Sequence, residues 1–173
     1  FGTEDGWFST LDRSSGQFID YAIAAPPTSI LEDHMGTLWV GTYCGGLARF
    51  DPQMKQFIYY QHDQDDAYSL SDPRNCAMSL SRDRSGTLWV GTSNGLNRID
   101  RESGRVSHYQ HDSSDPYSLS KGGVLSVYHD RSGVLWTGIE FGGINKLDSG
   151  AGWFGHYRHF TDDPNSLSGN IVT

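Results

Sequence analysis

The chain has 173 residues, 36% of them hydrophobic and 21 of them glycine, and a formal net charge of −8. Its acidic balance, with no Lys/Arg cluster larger than two neighbours, argues against nucleic acid or an anionic membrane surface as a partner. No apolar run approaches the roughly 18 residues that cross a bilayer, and the length suits one domain or part of one.

The first 21 residues make sense only against the repeat that follows them. Asp33, Gly36, Leu38, Trp39, Gly41 and Thr42 run on to Gly45-Gly46-Leu47 and Asp51. Asp83, Gly86, Leu88, Trp89, Gly91 and Thr92 run on to Gly95-Leu96 and Asp100. Asp130, Gly133, Leu135, Trp136 and Gly138 run on to Gly142-Gly143-Ile144 and Asp148. Trp39 to Trp89 is 50 positions and Trp89 to Trp136 is 47, a spacing typical of propeller blades. Gly2-Thr3, Gly6 and Asp12 then match Gly41-Thr42, Gly45 and Asp51, so the chain is expected to open inside a repeat.

Each unit reads as four antiparallel strands. An alternating run precedes the Asp box and forms strand A, and Asp-x-x-Gly makes a type I turn. The β-rich segment around the Trp is strand B, a Gly-containing break leads to strand C, and a further turn, Glu102-Ser103-Gly104 in the second full unit, leads to strand D. The predicted fold is all-β: a propeller of four-stranded blades forming an open arc of about three and a half blades from a seven-bladed ring. Residues 1–21 supply the end of strand B, then C and D, with Phe8, Leu11, Phe18 and Tyr21 expected to be buried. Residues 22–27 form a short linker. Full blades are expected at 28–60, 76–110 and 123–160, and residues 170–173 match the start of another strand A.

The loops from D to the next A align without gaps: Tyr60 to Ser71, Tyr109 to Ser120 and Tyr157 to Ser168. Ser-Leu-Ser closes all three, and its leucine (Leu70, Leu119, Leu167) is expected to plug the space between blades. Asp72-Pro73 is a two-residue insertion before the second strand A. Cys44 and Cys76 occupy non-equivalent repeat positions with no metal-ligand spacing. A bridge between adjacent blades is conceivable, but two unpaired thiols are the expectation.

Repetition also separates scaffold from site. Asp33, Asp83 and Asp130 could be catalytic carboxylates, but each has its glycine three positions on (Gly36, Gly86, Gly133), which marks a turn. Trp39, Trp89 and Trp136 could stack sugars, but their fixed place between apolar neighbours marks inter-blade core. His62, His111 and His159 lie on separate blades, so they suit a polar loop role better than a metal site. No nucleophile elbow, zinc motif or phosphate loop occurs, and no catalytic residue, metal or cofactor is expected. Binding must then sit where the repeats differ, on the face shared by the B–C and D–A connections. The candidates are Tyr43, Arg74, Asn75, Asn94, Lys121, Glu140, Phe141 and Asn170, which combine aromatic faces with hydrogen-bonding and charged groups.

The Asp-x-x-Gly-x-Leu-Trp-x-Gly-Thr-x-x-Gly-Gly-Leu pattern, with the linker ending in Ser-Leu-Ser, resembles the two-component-regulator propeller repeat. The departures are the first unit, which lacks its Trp, and Ile139 where Thr is the rule. In that family the repeats build periplasmic sensors of hybrid two-component systems, many from gut Bacteroidetes. The resemblance implies carbohydrate sensing, with oligosaccharides as signals and relay to an inner-membrane-anchored histidine kinase outside this chain. Partners would be that signal and the neighbouring blades of the parent protein, with a homodimer through the exposed blade faces as a further expectation. Two other functions compete: a propeller enzyme, streptogramin-lyase-like or a glycosidase, and a purely structural interaction platform. Against the enzyme, no unrepeated pair of acids stands out as acid and base.

Overall fold

The structure is a computed structural model that describes residues 1–100, 103–148, 150 and 152–172. Strands β1 (Trp7–Leu11) and β2 (Phe18–Ala22) form a two-stranded sheet. Three four-stranded antiparallel sheets follow. The first blade holds β3 (Pro27–Glu32), β4 (Leu38–Thr42), β5 (Gly46–Asp51) and β6 (Gln56–Tyr60). The second holds β7 (Ala77–Arg82), β8 (Leu88–Thr92), β9 (Gly95–Ile99) and β10 (Val106–Tyr109). The third holds β11 (Val124–His129), β12 (Leu135–Ile139), β13 (Gly143–Asp148) and β14 (Trp153–Tyr157). Strands pair in sequence order within every sheet, and Gly2 bridges Phe8 where a strand B would lie beside β1. The sheets form an open arc of propeller blades. Of the expected features, part of the turn at Glu102 and the end of the last segment at Thr173 lie outside the described residues.

The core lies between the blades. Trp39 and Leu47 of the first blade pack with Leu70 of the loop against Ala77, Leu88, Val90, Ile99 and Val106 of the second. At the next junction Trp89, Leu96 and Leu119 pack against Val124, Leu135, Ile139, Leu147 and Phe154. One aromatic, one strand-C leucine and one loop leucine thus fill each gap. Trp136 and Leu167 hold the same repeat positions but are only half-buried, because no further sheet lies against them. Phe8 is buried with Ile23, Val40 and Ala48, and Tyr21 packs beside them. Leu11 and Phe18, expected in the core, are instead 45% and 58% exposed, since no sheet covers the outer side of β1 and β2.

The glycine of Trp-x-Gly has a steric reason. A Cβ at Gly91 would sit 2.7 Å from the carbonyl oxygen of Val124 in the next blade, so the strand A backbone of one blade presses directly on strand B of the last.

The long loops belong to two blades at once. The Tyr68 carbonyl accepts from the Val106 amide at 3.1 Å, and that of Tyr117 from Phe154 at 2.8 Å, so each loop lies along the outer strand of the following blade. His108 and His156 donate from Nε2 to the carbonyls of Ser69 and Ser118 at 2.7 and 2.8 Å. Within the loops, His62, His111 and His159 donate from Nδ1 to the carbonyls of Leu70, Leu119 and Leu167, so they serve as loop struts. Buried Asn97 and Asn145 accept from the amides of Ser71 and Ser120 at 2.9 and 2.8 Å and pin the loop ends. The first blade has Ala48 at this position. There the preceding connection is the short linker, which places Ile23 rather than a loop backbone against it.

Cys44 and Cys76 form a disulfide, which corrects the expectation of free thiols. The B–C turn of the first blade meets the strand A entrance of the second, and the Gly46 amide donates to the Asn75 carbonyl at 2.7 Å. Non-equivalent repeat positions are therefore neighbours across the junction.

Candidate ligand-binding face

The B–C turns and strand A entrances share one face, because β4–β5, β8–β9 and β12–β13 turn beside the starts of β7 and β11. The sequence candidates divide into two groups there. At the first junction, Tyr43 is 61% exposed and Arg74 has its Nε 3.8 Å from the Asp72 carboxylate. Asp72 itself is buried, accepting from the amides of Arg74 and Cys76 and from the Ser93 hydroxyl, so the inserted Asp72-Pro73 ties the entrance to the neighbouring turn. Asn75 spends its side-chain oxygen on the His62 amide at 2.5 Å, and Asn170 does the same for His159 at 2.6 Å.

The second junction brings the remaining four candidates together. One hollow of about 440 Å³ is lined by Asn94, Gln110, His111 and Lys121 among others. A second, of about 500 Å³, is lined by His111, Lys121, Glu140, Phe141 and Arg158 among others. They share His111, Lys121 and Gly122 and so form one trough, of a size that takes a small ligand. Asn94 is a wall rather than a free donor, since its Nδ2 donates to the Ser71 carbonyl at 2.8 Å. A Cβ on Gly122, whose φ is +133°, would lie 2.2 Å from the Glu140 carbonyl oxygen, so the entrance and the turn are packed backbone to backbone. The Glu140 amide donates to the Gly123 carbonyl at 2.8 Å.

Sequence reasoning missed Arg158. Its signal was present: Arg158 aligns with Gln61 and Gln110, and this is the one loop of the three in which a cation follows the strand D tyrosine.

The Asp boxes lie at the A–B turns, away from this face. Asp33 accepts from the amides of Met35 and Thr37 and from Trp39 Nε1. Burial opposes ionisation of Asp83, but hydrogen bonds from Ser85, Trp89 and Thr87 outweigh it and hold its pKa below the usual carboxylate value. Hydrogen bonds from Ser132, Trp136 and Val134 hold Asp130 lower still, so these carboxylates act as ionised turn caps. Among the described residues, no three His, Cys, Asp or Glu side chains gather in a way that could hold a metal ion.

Sheets, inter-blade core and open edge together define an arc of a β-propeller. Residues 23–44 and 71–94 match the two component regulator propeller family. No curated protein matches it in sequence. Among solved structures it is similar to the extracellular domain of BT3049 from B. thetaiotaomicron, described as a hybrid two component system. The TM-score is 0.73 at 22% identity, over 91% of this chain and 24% of that one. The extracellular domain of BT4673 from the same organism, described as a one component system, gives a TM-score of 0.73 at 20% identity, over 96% and 22%. Virginiamycin B lyase from Staphylococcus aureus gives 0.67 at 14% identity, over 91% and 50%. At these identities the likeness is one of fold. The chain spans about a quarter of the length of the two B. thetaiotaomicron domains.

Proposed function

We propose that this chain is a ligand-sensing segment of an extracytoplasmic two-component sensor, that it recognises an oligosaccharide, and that it is not itself catalytic. The match of its repeats to the two component regulator propeller carries this reading. The acidic residues of the repeat are engaged as turn caps, while an open trough with mixed polar and aromatic walls stands on the face where the blades differ. The Cys44–Cys76 disulfide suits an oxidising compartment such as the periplasm.

The test is a thermal-shift screen of the full-length protein carrying this chain against a panel of oligosaccharides. A ligand that binds only the folded state raises the melting temperature, by an amount that grows with its concentration over Kd. A saccharide-dependent rise, removed by substitutions in the trough, is the expected result. Turnover of any panel member, with loss of activity on substituting Asp83 or Asp130 at unchanged melting temperature, would replace this reading with an enzymatic one.

A further inference from the structure

The trough at the second junction departs from the repeat at Arg158 and Phe141, and these departures suit one chemistry together with Lys121, which stands where the second blade has Arg74. In the first two blades the residue after the strand D tyrosine is a glutamine. Gln61 Nε2 donates to the Gly45 carbonyl at 3.0 Å and Gln110 Nε2 to the Asn94 carbonyl at 3.1 Å, each bracing the B–C turn of its own blade. Arg158 has taken this place in the third blade. Its guanidinium donates to Ser120 Oγ at 2.9 Å in the preceding loop, and the rest of the donor fork remains for a ligand. Lys121, at the strand A entrance, has no ion-pair partner among the described residues.

The aromatic part of the lining is equally distinct. Phe141 is 71% exposed although aromatic, and its φ of 60° places a non-glycine residue in the left-handed region. Its repeat equivalent, Cys44, has a φ of 62°, but there the disulfide holds the turn. Packing does not explain Phe141, and strained, exposed residues of this kind gather at binding sites. Two cations, Arg158 and Lys121, against the single carboxylate of Glu140 leave one positive charge in the trough of a chain whose net charge is −8. That balance matches a monoanion, and the aromatic face beside it suits the apolar side of a pyranose ring.

We propose that the trough binds an acidic oligosaccharide. Arg158 and Lys121 engage a singly charged group, a uronic acid carboxylate or a sulfate ester, and Phe141 lies against the sugar ring. The proposal rests on the sugar-sensing reading above and names the ligand class of that site. Isothermal titration calorimetry on the full-length protein tests it with three probes: trigalacturonic acid, its fully methyl-esterified form, and a galactose trisaccharide carrying one sulfate ester. One acidic probe is expected to bind at least about 10-fold more tightly than the neutral ester, the increment of a charge-assisted hydrogen bond. Which acidic probe binds identifies the anionic group. Arg158→Gln restores the residue of the other two loops, so it should keep the melting temperature while abolishing the acid preference. Lys121→Gln should weaken the preference in the same direction. Equal binding of ester and acid, or a preference that survives Arg158→Gln, overturns the proposal and leaves sugar sensing intact. Failure of all three probes also overturns it, and the wider saccharide screen then decides separately whether the sensing reading stands.

Discussion

The indole Nε1–H of Trp39 donates to the Asp33 carboxylate at 2.9 Å, across the turn that separates strands A and B. Trp89 and Trp136 make the same bond to Asp83 and Asp130 at 3.4 and 3.1 Å. The Asp box is therefore a turn cap and an anchor for the core aromatic. The boxes at Asp33 and Asp83 fix the rings that fill the gaps to the second and third blades.

Removing that aromatic is expected to be severe where it is enclosed. Trp39→Ala and Trp89→Ala should each destabilise the fold by about 3–5 kcal/mol, as large aromatic truncations in cores do. Trp136→Ala should cost clearly less, because Trp136 is only half-buried. Chemical denaturation of the three variants checks the ranking.

Asp83→Asn keeps one oxygen, which can still accept from the Thr87 amide, but puts an NH2 where the second carboxylate oxygen accepts from Trp89 Nε1, so it should cost about 1–2 kcal/mol, read by chemical denaturation. The pH dependence has a definite sign. The depressed carboxylates of Asp83 and Asp130 contribute stability that is fully present above the usual carboxylate pKa near 4 and is lost as pH falls through their folded values. Asp12, held at about 2 by hydrogen bonds from Ser14 and Ser15, acts the same way. Burial keeps the His129 pKa below its usual value against the pull of Asp83 and Asp130, so protonation as pH drops below about 6.5 also disfavours the folded state. Melting temperature should thus hold above about pH 7 and decline continuously toward acid.

Reducing the disulfide, or replacing both cysteines by serine, should lower stability by about 3–4 kcal/mol on the loop-entropy account, given the sequence separation of 32. Paired thermal melts with and without reductant on the wild type, against a reductant-insensitive Cys44→Ser/Cys76→Ser variant, check this.

Asn97→Ala should cost about 1–3 kcal/mol, because it leaves the Ser71 amide without its acceptor in a buried setting. Equivalent loss is expected for Asn145→Ala. Amide exchange at Ser71 and Ser120 should accelerate in the respective variants.

The 173-residue segment expressed alone should self-associate or aggregate. Phe1, Trp7, Phe18 and Ile19 at one end and Ile171 at the other are exposed apolar groups. Light scattering that showed a cooperatively melting 19.2 kDa monomer would contradict this expectation.

What the chain declares openly is whatever the repeat states three times. Trp39, Trp89, the Asp boxes and the plugging leucines Leu70 and Leu119 stand where periodicity puts them, because a repeated position has a repeated environment. The features that periodicity does not declare join unlike positions. The Cys44–Cys76 bond and the Asn97-to-Ser71 bond tie a segment of one repeat to the following blade, so alignment of copies hides them, and Asp72 lies in an insertion that the other copies lack. Arg158 was hidden in the opposite way, as one changed letter in a loop otherwise judged structural. Leu11 and Phe18 were misjudged because alternation predicts a buried side only when another sheet supplies the cover.

The straps formed by the loops at 60–71 and 109–120 point one way along the chain. Each of the two lies along the outer strand of the blade that comes after it. Blade one is preceded by the short linker instead. Its outer strand β6 receives no such strap; Tyr59, at the position of His108 and His156, reaches the linker by accepting from the Ala24 amide at 2.9 Å. The rim of the three full blades therefore has a polarity, and any fibrous misassembly by strand addition along it should grow from β6 in preference to β10 or β14.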